Sequence, residues 1–157
     1  MYKTLHVIRF SLGVAAIFAV TLYAIQIALH TQSQTATSRA KKHRVCFEVN
    51  VDGLETWQSI MNNVENLQKA LDKDKVQIEL VCHGKGLSML LSTDSGLRDR
   101  MKAAADNGVN LAACENTMRR KNVKKEELPL FATTVPSGVT EVILKQESGW
   151  SYLKAGF

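Results

Sequence analysis

The sequence predicts an α/β domain: a three-layer, mostly parallel five-stranded sheet with helices on both faces, preceded by an N-terminal hydrophobic helix. Three observations predict it. β-rich apolar runs alternate with stretches of helical period over residues 45–157. The connections between those runs are long enough to hold helices, which parallel pairing requires. Ahead of them, Phe10 to Leu29 carries no charge, and a helix of about 20 residues spans roughly 30 Å of hydrocarbon.

The elements follow in order. "VCFEVNV", Val45 to Val51, reads as the first strand, closed by the turn pair Asp52-Gly53. Leu54, Trp57, Ile60, Met61, Val64, Leu67 and Leu71 recur at three- and four-residue steps, so one apolar stripe runs along a helix from about Leu54 to Asp72. "VQIELVC", Val76 to Cys82, is β-rich and apolar enough to be covered on both faces. "HGKG" follows, then a short apolar helix in "LSMLLS". Leu97, Met101 and Ala104 share a face of the next helix, which Gly108 stops. "VNLAAC", Val109 to Cys114, is the third strand and "ENTMRRKNV" a short irregular helix. "FATTV" is the fourth strand, "PSGVTEVILKQESG" a helix and "WSYL" the fifth strand.

Three segments result: a signal peptide or membrane anchor over residues 1–30, a polar tether over 31–44 and the α/β domain over 45–157. The tether, "HTQSQTATSRAKKHR", is rich in Ser, Thr and Gln and has no apolar period. Lys3, His6 and Arg9 before the apolar run give it the form of a leader, so export to the periplasm is expected. Arg39, Lys41, Lys42 and Arg44 behind it argue the other way, for a domain held at the cytoplasmic face of the inner membrane.

Hydrophobic content of 45% with 22% charged residues is that of a folded protein. The net charge of +5 draws on Lys3, Arg9 and Arg39, whereas the chain from Lys41 onward is close to balanced. A basic, aromatic-rich footprint for nucleic acid is missing, so no nucleic-acid partner is expected. Three cysteines, Cys46, Cys82 and Cys114, cannot all pair within one chain. No C-x-x-C pair or spaced His pair is present, so neither a metal site nor a cofactor is expected.

In parallel α/β sheets chemistry gathers beyond the carboxyl ends of the strands, and there the chain sets Cys82, His83 and Cys114. A thiol at a strand end opening into a helix meets unpaired N–H groups, here from Glu115, Asn116 and Thr117, which stabilise thiolate. Free cysteine is equally often a small buried hydrophobe, and both readings of Cys114 stand. His83 is either a base or orienting group for the thiol or a turn residue capped by backbone. Gly84 and Gly86 flank a helix start and offer amides to an anion. Arg119, Arg120 and Lys121 form either a solvated helix face or a partner-docking surface.

"LVCHGKGLSMLL", "GVNLAACENTMRRKNVKKEELPLF" and "VPSGVTEVILKQESGWSYLKAGF" together resemble the DsrE/DsrF family of intracellular sulfur-oxidation and sulfur-relay proteins, from about Val45 to Phe157. The specific parts are "A-C-x-N-T" and the closing "VPSGV…Q…G…Y"; strand and helix pattern alone is shared with flavodoxin-like folds. The resemblance implies a homotrimer or homohexamer, sulfur donor and acceptor proteins as partners, and Cys114 as a carrier of sulfur in persulfide form. His83 falls in the strand-end "HG" motif of the most similar relatives. The membrane-meeting leader departs from the cytoplasmic relay proteins. Whether the protein is an enzyme stays open. Two other functions compete with the carrier: an oligomeric module binding a small anion or a partner, and a thiol-disulfide oxidoreductase using Cys82 and Cys114.

Overall fold

The five β-rich runs close into one sheet in the computed structural model, which describes residues 22–27 and 42–155. Strands β1 (His43–Val49), β2 (Val76–Cys82), β3 (Asn110–Cys114), β4 (Ala132–Val135) and β5 (Ser151–Lys154) are joined by five helices. These are α1 (Leu54–Leu71), α2 (Leu87–Leu90), α3 (Ser95–Asp106), α4 (Glu115–Lys121) and α5 (Gly138–Glu147), with 3-10 turns at Gly84–Gly86 and Lys125–Glu127. The strand order is β4-β3-β2-β1-β5 and all four pairings are parallel, so the sheet is wholly rather than mostly parallel. The layered alternation matches flavodoxin-like folds, but here β1 lies between β2 and β5, whereas the flavodoxin order sets it between β2 and β3.

Strand pairing explains why the first strand begins two residues earlier than its apolar pattern. His43 and Arg44 are exposed, yet they pair with Val76 and Gln77 of β2, which satisfies their backbone groups. Of the apolar stretch Phe10–Leu29, only residues 22–27 are described, and they are helical. The rest of the expected leader and the tether up to residue 41 lie outside the described residues. Among the described residues no helix is long and apolar enough to cross a membrane.

The register puts Leu153, Phe47, Leu80, Leu111 and Ala132 in one row across the whole sheet. Phe47, Leu80 and Leu111 are fully buried there under Ile60, Met61 and Val64 of α1 and Leu97 and Met101 of α3. Each such side chain contributes about 1.5–3 kcal/mol of transfer free energy. Alternation along the strands sends Cys46, Val81, Ala112 and Cys114 to the opposite face, where α5 packs through Val142. Lys145 ties α5 down: its Nζ lies 2.6 Å from Oε2 of buried Glu79 on β2, 3.4 Å from Glu141 and 4.4 Å from the Trp150 ring centre. That anchor fixes where the N-terminus of α5 falls, and it falls on Cys114.

Candidate functional site: a cysteine between two helix starts

Cys114 ends β3 and is the N-cap residue of α4. It forms the floor of a cleft of about 420 Å³ lined by His83, Asn116, Thr117, Arg119, Arg120 and the Ser137–Val139 turn. The residue is only 4% exposed, so a reagent reaches the sulfur through the cleft alone. At the other wall the Ser137 hydroxyl caps α5 by accepting from the Thr140 amide, and the next N–H, that of Gly138, donates to Cys114 Sγ at 3.1 Å.

Gly138 is the residue that permits this approach. A Cβ there would lie 2.8 Å from the His83 Cβ, so any larger residue pushes α5 off the ring and its amide off the sulfur. Thr117 holds the other side. Its buried Oγ1 accepts from the Gly84 N–H at 3.0 Å and faces Arg120 Nη2 at 3.5 Å, which leaves the hydroxyl proton to donate to sulfur.

Burial pushes the Cys114 thiol up, yet the bonds outweigh it. Donation from the Thr117 hydroxyl and from the Gly138, Thr117 and Asn116 amides holds the thiol below its ordinary range. The other two cysteines show burial without donors. The Cys82 thiol is pushed up to about 12 by burial alone, and Cys46 to about 11 by burial and then the Glu79 charge. Thr117→Val therefore moves the midpoint of Cys114 alkylation to higher pH while the fold persists. A midpoint unmoved in that variant would mean that the hydroxyl does not hold the thiolate.

The other predicted residues divide between the cleft and its surroundings. His83 lines the cleft, but its Nε2 is 2.8 Å from Glu48 Oε1, and the sulfur takes its hydrogen bonds from Thr117, Asn116 and Gly138. Gly84 gives its amide to Thr117 and Gly86 gives its amide to the His83 carbonyl, so this turn braces the site from behind instead of cradling an anion. Glu115 opens α4 outside the cleft lining. Arg119 and Arg120 face the cleft, Arg119 bonded to Asn116, and among the described residues neither forms an ion pair. Lys121 turns away and reaches Ser88 at 3.4 Å.

Cys82 is not on the rim. It pairs with Ala113 and is buried in the main core, on the face of the sheet opposite Cys114, so the two sulfurs have no route to a shared disulfide. All three cysteines are free. Among the described residues no cluster of three or more metal-ligating side chains occurs.

Gly138, Glu48 and Tyr152 escape a reading of the sequence alone. Glu48 of β1 bonds His83 through one carboxylate oxygen and Tyr152 of β5 through the other. Glu48 had a visible signal, a carboxylate inside an apolar strand; Tyr152 had only its position in the closing pattern.

Comparison with known proteins agrees with this architecture. A model of the DsrE/DsrF-like family matches residues 58–155. No curated protein matches the chain. Among solved structures, the protein of unknown function MTH1491 from Methanobacterium thermoautotrophicum is similar at 29% identity and a TM-score of 0.66, over 71% of this chain and 98% of that one. The protein of unknown function BT1422 from Bacteroides thetaiotaomicron, at 12% identity and a TM-score of 0.58, covers 74% of this chain with 98% of its own. The ychN protein of E. coli, at 10% and 0.57, covers 72% with 98% of its own; these last two share the fold. With the matched segment running from within α1 to the end of β5, the chain belongs to the DsrE/DsrF-like family, a family of sulfur-relay type.

Proposed function

We propose that this protein is a sulfur carrier: the Cys114 thiolate accepts a sulfane sulfur, holds it as Cys–S–SH and passes it to a partner thiol. The observation that carries the reading is the donor set around Cys114 Sγ, with the Gly138 amide at 3.1 Å and Thr117 and Asn116 opposite. A sulfur so held becomes a nucleophilic thiolate at lower pH than an ordinary cysteine, and the same donors receive the negative charge on Sγ when the outer sulfur leaves. Arg119 and Arg120 at the cleft give an approaching anionic thiolate a favourable field.

The test is mass spectrometry after exposure to glutathione persulfide, with peptide mapping. One added sulfur on Cys114 is the expected product. Sulfur only on Cys46 or Cys82 would overturn the assignment.

The proposal includes self-association as a homotrimer or homohexamer. It is supported by the exposed apolar side chains Val139, Ile143 and Leu144 of α5. Sedimentation giving a monomer at micromolar concentration would remove that part. It also includes export to the periplasm, which an activity reporter fused after Phe157 checks; cytoplasmic reporter activity would contradict it.

A further inference from the structure

The carrier reading leaves one half of the cycle without a base, and the role assigned here to His83 rests on that reading. Loading does not need a further base, because the Thr117, Asn116 and Gly138 donors already favour the Cys114 thiolate. Handover does, because an incoming thiol arrives with its proton. The structure holds a hydrogen-bonded line that ends in the cleft: Tyr152 Oη donates to Glu48 Oε2, and Glu48 Oε1 lies 2.8 Å from His83 Nε2.

Charge fixes the direction of each bond. The Tyr152 phenol is pushed up to about 12, first by its bond to Glu48 and then by burial, so it stays protonated and donates. Burial pushes Glu48 up, but the hydrogen bonds from Tyr152 and His83 hold it below the usual carboxylate range. An ionised carboxylate only accepts, so His83 Nε2 carries the hydrogen, which in the neutral tautomer leaves the lone pair on Nδ1. Among the described residues, the charged or titratable groups that line the cleft with the ring are Cys114 at the end of β3 and Arg119 and Arg120 on α4; Lys154 of β5 acts on Glu48, and Lys85 lies on the turn that follows His83. From α5 the ring meets the backbone of Gly138.

We infer that Glu48 and Tyr152 are positioning residues that hold His83 as the general base for the handover half-reaction. The acceptor thiol gives its proton to His83 Nδ1, and its thiolate attacks the outer sulfur of Cys114–S–SH. The S–S bond breaks, and its electron pair returns to Cys114 Sγ under the Gly138, Asn116 and Thr117 donors. The products are the acceptor persulfide, the Cys114 thiolate and the His83 imidazolium; no external oxidant or reductant is consumed.

The experiment separates the two halves. The full chain and its Glu48→Gln and Tyr152→Phe variants are loaded with glutathione persulfide, freed of donor, and mixed with 2-mercaptoethanol as acceptor across a range of pH. Loading is expected at the unaltered rate in all three. Handover in Glu48→Gln is expected to fall about tenfold or more near neutral pH, within the range of general-base effects, and Tyr152→Phe by less. The deficit shrinks as pH rises and the acceptor ionises unaided, which a merely structural defect would not do. Because a Gln side chain can donate where Glu accepts, nitrogen NMR of His83 is expected to report the opposite tautomer in Glu48→Gln. Equal handover at every pH in all three proteins would overturn this inference while leaving the carrier intact. Failure of the unaltered chain to load Cys114 would overturn the carrier reading, and the inference with it.

Discussion

Cys114→Ser takes up no sulfur from glutathione persulfide, while Cys46→Ala and Cys82→Ala load to the same extent as the unaltered chain. The difference follows from what each sulfur faces. Cys46 and Cys82 are sealed and their thiols are pushed up to about 11 and about 12, so neither supplies thiolate near neutral pH. Cys114 has hydrogen-bond donors and a cleft in front of it. Intact mass before and after incubation reads the result. Retained uptake in Cys114→Ser would move the chemistry elsewhere.

The second large effect is on stability and comes from Gly86. This residue packs so closely on the end of β1 that a Cβ would sit 2.0 Å from the Val49 carbonyl oxygen and 2.4 Å from its carbon. Backbone, not a movable side chain, is in the way. Gly86→Ala therefore has to displace the turn that carries His83 and Gly84, at a cost of roughly 3 kcal/mol or more. A lowered urea midpoint with an unchanged slope measures it. Gly96→Ala is the control: there a Cβ meets only Asp94 Oδ1 at 3.5 Å inside α3, and the change is neutral or a gain of up to about 1 kcal/mol. Equal stability of Gly86→Ala and the parent would mean that the close approach is not needed.

That glycine also marks where sequence reading reaches its limit. Gly84-Lys85-Gly86 has the composition of an anion-binding turn, but composition does not say what the amides meet. In the fold one glycine bonds Thr117 and the other packs on β1. The elements themselves are more legible. Val76–Cys82 is a β-branched, apolar run bounded by polar residues, and its limits in the fold are the ones its pattern gives. The α1 stripe is equally plain, since Trp57, Ile60, Met61 and Val64 are the residues it buries.

For the site, local chemistry is visible in the sequence and long-range chemistry is not. A cysteine at a strand end with amides following can be read within a few residues, and so can the neighbouring Arg119 and Arg120. Gly138 reaches the same sulfur from 24 residues away, because a crossover helix returns over the sheet. Tyr152 and Glu48 meet across 104 residues, and only the pairing of the last strand beside the first joins them. The true place of Cys82 is hidden for a related reason: the alternation of a strand decides which face a terminal residue takes, and here it sends Cys82 into the core and Cys114 to the cleft.

One property underlies the chemistry, a sulfur anion kept by hydrogen bonds at the floor of the cleft. Its most direct measurement is the pH dependence of iodoacetamide alkylation at Cys114 in the folded chain, read peptide by peptide. Thiolate fraction sets the rate, so a pKa held below the ordinary value of about 8.5 gives a half-maximal rate at a correspondingly lower pH, with Cys46 and Cys82 unreactive throughout. A midpoint at or above the ordinary value, or a Cys114 that reacts only after unfolding, contradicts a thiolate held in the cleft.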